Sequence, residues 1–155
     1  MSTFHTEYST ILNATPADVY ALFRDYRVSH AAVLPKPYFA YYEVQQGGMG
    51  AGTVFRADMD VFGNKSTLIM TVTEPQPGRI MVEEDAKAGM KTSFTLDPVE
   101  NGRKTRVTIH NETRASAGFR GVLERLTTPP IMRMIFRKEL QNVAHYLAAK
   151  TPIKA

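Results

Sequence analysis

The side chains best suited to move protons or hold a metal are few in this sequence. They are four histidines, His5, His30, His110 and His145, and one run of acids, Glu83-Glu84-Asp85. No two histidines stand at HxH or HxxH spacing beside a carboxylate, so spacing predicts no metal site. Nor does spacing argue for a Ser-His-Asp arrangement. Cysteine is absent, which removes disulfides and thiolate ligands and fits a reducing compartment. The glycines of Gly47-Gly48-Met49-Gly50-Ala51-Gly52 invite a phosphate-cradling reading, but that chemistry needs a following helix and a Lys-Ser/Thr pair. A strand-like run, TVFRADMDVF, follows instead, so the glycines read as a flexible strand connection.

These groups are positioned by a chain of 155 residues, read as one domain over 1–155 and able to bury roughly 70% of its unfolded surface. The last stretch organises the rest. Thr128 suits a helix N-cap, and Pro129 and Pro130 suit a first turn. From there Met132, Phe136, Leu140, Val143 and Leu147 form one apolar stripe at helical spacing, running to about Lys150. Such a stripe needs a broad partner surface. Residues 38–114 supply it, because they read as six successive strands: 38–46, 53–62, 65–73, 79–86, 90–99 and 104–114. A further strand covers 4–12. Thr15-Pro16-Ala17-Asp18 opens a short helix to about Asp25, residues 27–34 form a second, and 115–127 are a partly helical lead-in. The order is β-α-α-β6-α, an α+β fold with an antiparallel meander of about seven strands.

Alternation assigns the face turned toward the helix. It takes Phe55, Ala57, Met59 and Val61; Leu68, Met70 and Val72; Ile80 and Val82; Phe94 and Leu96; Val107 and Ile109. A Gly63-Asn64 turn, a Pro-Gly turn, a turn at 87–89 and an Asn101-Gly102 connection then align a lateral row, Met59–Leu68–Glu84–Thr92–Asn111. Three of its members are polar. A packed apolar core does not accept an unpaired carboxylate, whereas a hollow holding water or a ligand head group does. The row predicts an internal cavity, mostly apolar, with a polar end at Glu84, Thr92 and Asn111. The alternative sets Glu84 at a strand end facing solvent, or lets a bulge shift the register. The expected lining is Phe55, Met59, Leu68, Met70, Val82, Thr92, Phe94, Ile109, Asn111, Met132, Phe136 and Leu140. Tyr38, Tyr41 and Tyr42 either line the cavity mouth or cover the sheet edge.

Several motifs in this order resemble the START-like (SRPBCC, Bet v 1-like) superfamily, and its polyketide cyclase/dehydrase-like branch most of all. The opening Leu12-x-Ala14-Thr15-Pro16-x-Asp18-Val19-Tyr20 is similar to the family's first helix entry, with Asp18 and Tyr20 in place of the usual Glu and Trp or Phe. Gly48-Met49-Gly50-Ala51-Gly52-Thr53, Val72-Thr73-Glu74-Pro75-x-Pro77-Gly78-Arg79, Phe94-Thr95-Leu96-Asp97-Pro98 and Gly102-x-x-Thr105-x-Val107-Thr108 follow. The resemblance covers about residues 4–148. It implies the helix-grip fold, a curved antiparallel sheet wrapped around a long C-terminal helix with a cavity between them. It implies less about activity, because members bind lipids, sterols, hormones or polyketides, catalyse cyclisation or dehydration, or assist other proteins.

Three functions follow as expectations. The first is binding of an apolar or amphipathic small molecule in the cavity. The second is a cyclase/dehydratase-type enzyme with Glu84 as general acid or base, its pKa raised by desolvation and its partners Asn111 and Thr92. The third is a protein-interaction or chaperone-regulating module, marked by a filled cavity and an exposed apolar patch. No cofactor and no metal are expected. The net charge of +4 is scattered, without the basic patch and interleaved aromatics of a nucleic-acid surface. No signal peptide is read at the start, and no apolar run reaches the roughly 18 residues of a membrane span, so a cytoplasmic protein is expected. Oligomeric state is left open, with a homodimer among the options.

Overall fold

The computed structural model describes residues 2–150. In chain order the elements are β1 (Thr3–Leu12), α1 (Pro16–Arg24), α2 (Ser29–Val33), β2 (Phe39–Gln46), β3 (Val54–Val61), β4 (Asn64–Gln76), β5 (Ile80–Asp85), β6 (Met90–Val99), β7 (Lys104–Arg114) and α3 (Gly118–Lys150). The strands form one antiparallel sheet in the order β1-β7-β6-β5-β4-β3-β2. The meander β2–β7 is the predicted one, and β1 closes against β7. The sheet wraps α3, with α1 and α2 closing one end.

Local chemistry accounts for the element ends. Thr15 caps α1 by accepting the Asp18 amide at 3.2 Å, and Pro16 fills the first turn, where no amide is needed. Val19, Leu22 and Phe23 then turn inward. The glycine connection after β2 is tied down rather than flexible. The Tyr26 amide donates to the Gly48 carbonyl, and the Gly50 amide donates to that of Arg24. Gly50 has φ +62°, and a Cβ there would meet Glu74 Oε2 at 2.5 Å. The Glu74 carboxylate accepts from Tyr20, Arg24 and the Ala51 amide, fastening α1 to the sheet.

Helix α3 starts ten residues earlier than Thr128. Pro129 and Pro130 lie inside it and remove two amides that would bond the carbonyls of Arg125 and Leu126. Those residues are exposed, so water replaces the lost donors there. Leu140 and Val143 join Phe23, Leu96, Val107 and Ile109 in the packed core below α1.

Register is where sequence and structure part. The β3–β4 turn is Phe62-Gly63, not Gly63-Asn64, so Met59 faces Ser66 and Ala57 faces Leu68. That slip moves the pairing by two residues and keeps every side chain on its expected face. The β5–β6 turn holds four residues, Ala86–Gly89, rather than three. One extra residue exchanges the faces of β5. Met81 and Glu83 turn inward, while Val82 and Glu84 turn outward. A register shift between Thr73 and Gln76 lets β4 meet this frame, with Val72 opposite Glu83. The pairings Thr92–Asn111 and Phe94–Ile109 are the expected ones.

Candidate functional site

Between the sheet and the middle of α3 lies a cavity of about 370 Å³. Its wall is mostly apolar: Phe39, Phe55, Ala57, Leu68, Met70 and Phe94 from the sheet, and Ile131, Met132, Ile135 and Phe136 from α3. Phe62, Asn64, Ser66 and Thr127 line it while exposed, and so form its rim. The cavity exists because α3 packs tightly only through its second half, leaving the β3–β4 end of the sheet unfilled.

The inner end is polar, and its residues come from β5, α2, α3 and, for Tyr26, the connection between α1 and α2. Glu83 (β5) is buried and accepts the Tyr26 hydroxyl at 2.8 Å. His30 (α2) is buried, and its Nδ1 lies 2.7 Å from the Phe23 carbonyl. A carbonyl only accepts, so Nδ1 carries a proton. His30 Nε2 therefore faces the two carboxyl groups, 3.7 Å from Glu83 Oε1 and 3.5 Å from Glu139 Oε1. Lone pairs on all three would repel, so the arrangement needs at least one proton among them. Glu139 (α3) is 4% exposed, and its Oε1 has no hydrogen-bond partner within normal reach.

The aromatic side chains hold this cluster in place. The Tyr26 ring lies against His30 at 4.5 Å and stacks on Phe55 at 5.3 Å. Its carbonyl accepts the Tyr42 hydroxyl at 2.7 Å. Desolvation pushes the Glu83 carboxyl up to about 7; the Glu139 charge adds to the rise, and His30 and the Tyr26 hydroxyl oppose it. Burial works to depress the His30 imidazolium, but Glu139 and the Glu83 charge outweigh it, and its pKa rises. Burial, then Glu83, pushes the Tyr26 hydroxyl well above the usual tyrosine value. A carboxyl group raised to about 7 and an imidazole raised above its ordinary value thus share a dry site and can exchange a proton.

The structure places the residues singled out in the sequence as follows. Phe55, Met59, Leu68, Met70, Thr92, Phe94, Met132 and Phe136 line the cavity. Ile109, Asn111 and Leu140 are buried in the packing behind it, with Asn111 donating to Thr92 Oγ1 at 2.8 Å. Val82 is on the outer face. Glu84 is exposed there too, opposite Lys91, and its neighbour Glu83 occupies the inward position expected of it. Of the tyrosines, Tyr42 lines the cavity and Tyr41 is exposed. Tyr26, His30 and Glu139 are absent from the expected site. For Glu139 a signal was present, since Met132, Phe136, Glu139 and Val143 share one helix face at spacings of four, three and four. Away from the cavity, pairing of β1 with β7 brings one ligand atom each from His5, His110 and Glu112 within 4.8 Å of one another. Histidine spacing along the chain does not show that cluster.

Residues 3–148 match the family described as polyketide cyclase/dehydrase and lipid transport. The chain belongs to that family. Its helix-grip fold is shared by solved structures. The KanY protein structure, determined by NMR, is 24% identical, covers 96% of this chain and 99% of its own, and superposes with a TM-score of 0.82. The Zhui aromatase/cyclase from Streptomyces sp. R1128 is 16% identical over 98% of both chains, with a TM-score of 0.76. A START superfamily protein from Mycobacterium smegmatis is 9% identical over 95% of this chain and 99% of its own, with a TM-score of 0.68. At these identities the likeness is one of fold. No curated protein matches the sequence. Among the described residues, no helix is long and apolar enough to cross a membrane.

Proposed function

We infer that the protein binds an amphipathic small molecule in this cavity, its apolar body against Phe55, Met70, Phe94, Met132 and Phe136 and its polar head at Tyr26, His30, Glu83 and Glu139. The observation that carries this reading is Glu139 Oε1, buried at the inner end of an apolar hollow and accepting no hydrogen bond, with only His30 Nε2 near it at 3.5 Å. Buried polar atoms in folded proteins nearly always have a partner, and at the end of an apolar hollow a ligand's polar head can be that partner. The family description, which joins polyketide cyclases and dehydrases with lipid transport, supports the same class of ligand. Organic extraction of gently purified protein followed by mass spectrometry tests it. One amphipathic compound bound near one per chain, and lost in Phe136→Ala, is the expected result. An empty extract together with no uptake of an apolar fluorescent probe refutes it.

A second reading is favoured by the proton shared among His30, Glu83 and Glu139. A carboxyl group with a pKa of about 7 beside an imidazole suits general acid–base work near neutral pH. In a cyclisation or dehydration, Glu83 would take a proton from a carbon next to a carbonyl. His30 or Tyr26 would give one to the departing or developing oxygen. Glu83→Gln keeps the shape and removes the base. Turnover of the extracted compound that falls by two or more orders of magnitude in Glu83→Gln, with binding retained, supports catalysis; unchanged turnover excludes this role for Glu83.

A further inference from the structure

The cavity has a charge character that its apolar lining hides. Overall the protein is basic, at +4, yet no lysine or arginine among the described residues lines the cavity. Lys138 Nζ, on the same helix as Glu139, sits over the Tyr38 ring at 5.4 Å instead. The ionisable groups that face the inner end are Tyr26, His30, Tyr42, Glu83 and Glu139. With both carboxyl groups ionised, a protonated His30 leaves the cluster at one net negative charge and a neutral His30 at two. One further proton, on either glutamate, brings it only to neutrality.

The donors of the cluster are also engaged, and the proton that His30 Nε2 can carry points at Glu83 and Glu139. The Tyr26 hydroxyl is used on Glu83, the Tyr42 hydroxyl on the Tyr26 carbonyl, and His30 Nδ1 on the Phe23 carbonyl. What accepts no hydrogen bond is Glu139 Oε1, with His30 Nε2 beside it at 3.5 Å. An anionic head entering here would lose its water, find no cation except an imidazole already set between two carboxyl groups, and face those carboxyl groups. A head that brings its own proton would fill the empty acceptor.

Resting on the binding reading above, we propose that this cavity selects ligands whose polar head donates hydrogen bonds and carries no negative charge, a hydroxyl or an amine, received at Glu139, and that it rejects fatty-acid carboxylates and phosphate heads. Phenolic and alcohol-bearing polycyclic or chain molecules fit this description; free fatty acids and phospholipids do not.

Competition between probes of one tail and three heads tests this directly. The intact protein is loaded with N-phenylnaphthylamine, an uncharged apolar fluorophore, and titrated with decanol, decylamine and decanoate below their micelle concentrations, near neutral pH. Decanol or decylamine is expected to displace the fluorophore at a concentration at least tenfold below that of decanoate. Glu139→Gln, which removes a charge and offers an amide donor, should shrink that advantage severalfold by improving decanoate. An advantage of less than tenfold in the unaltered protein overturns the proposal, whatever the variant does. Failure of the fluorophore and all three competitors to bind overturns the binding reading itself, so the two failures are told apart.

Discussion

His30 Nε2 stands 3.5 Å from Glu139 Oε1 and 3.7 Å from Glu83 Oε1, so one imidazole nitrogen on α2 joins carboxyl groups from β5 and α3. The three elements are far apart in sequence, and this junction is where α2, the sheet and α3 meet around the cavity. Its protonation therefore couples to folding.

The first prediction concerns pH. Glu83 is raised from 4.5 to about 7, so the folded protein holds a proton that the unfolded chain releases between those values. Stability from this group is greatest below about pH 4.5 and falls as pH rises through about 7, by an amount on the order of 3 kcal/mol. His30 acts in the same sense. Its raised pKa contributes stability below the unfolded histidine value, which is lost as pH rises through the folded one. Urea midpoints measured from about pH 5 to about pH 8 should fall for the unaltered protein. Glu83→Gln should flatten that fall and be the more stable form at the alkaline end. A midpoint that rises with pH over this range contradicts the buried cluster.

Glu84→Gln provides the contrast. Glu84 is exposed on the outer face, so its substitution should shift stability by no more than about 0.5 kcal/mol and leave ligand binding unchanged. Equal effects of Glu83→Gln and Glu84→Gln on bound ligand would restore the register expected from the sequence.

The contrast between these neighbours shows what was legible. The meander, the helix stripe and the cavity follow from alternation and periodicity, which tolerate errors of two residues. The slip at Phe62-Gly63 was such an error and cost no facial assignment. Of the polar end expected at Glu84, Thr92 and Asn111, only Thr92 lines the cavity, and the β5 acid there is Glu83. Which acid it is depended on one residue in the Ala86–Gly89 turn, and turn length is the weakest signal in a lysine- and alanine-containing loop without proline. Tyr26 lies between α1 and α2, where no period assigns a face. His30 sits on a helix of five residues, too short to display one.

Phe62 offers a third prediction. It sits at φ +52° at the tip of the β3–β4 hairpin, followed by Gly63 at φ +85°. A β-turn with two positive φ values favours Asn-Gly, and a bulky residue pays roughly 1 kcal/mol to occupy the left-handed region. Phe62→Asn should therefore raise stability by about 1 kcal/mol, less whatever the edge contact with Tyr38 contributes. The same change removes an apolar side chain from the cavity rim, so it should also weaken retention of an apolar probe. Thermal unfolding and probe titration on one sample separate the two effects. A stabilised variant with unaltered probe retention would show that Phe62 is a turn residue only.

The last prediction compares two residues of one helix stripe. Leu140 is 1% exposed and packed among Phe23, Leu96 and Val143 in the closed core. Met132 belongs to the same stripe but borders the cavity and is half-buried. Truncation in a packed core costs the lost transfer energy plus a new void, so Leu140→Ala should destabilise by roughly 2–5 kcal/mol. Around Met132 the void already exists, so Met132→Ala adds little cavity surface and should cost about 1 kcal/mol or less. Ligand should respond in the opposite order. Met132→Ala enlarges the binding space and should alter which tail lengths bind, whereas Leu140→Ala should leave tail preference unchanged. The comparison bears on the fold's division of labour, because it asks whether the N-terminal part of the stripe was ever needed for packing. Equal losses of stability at the two positions would mean that the hollow closes in solution, and that α3 packs against the sheet along its whole stripe.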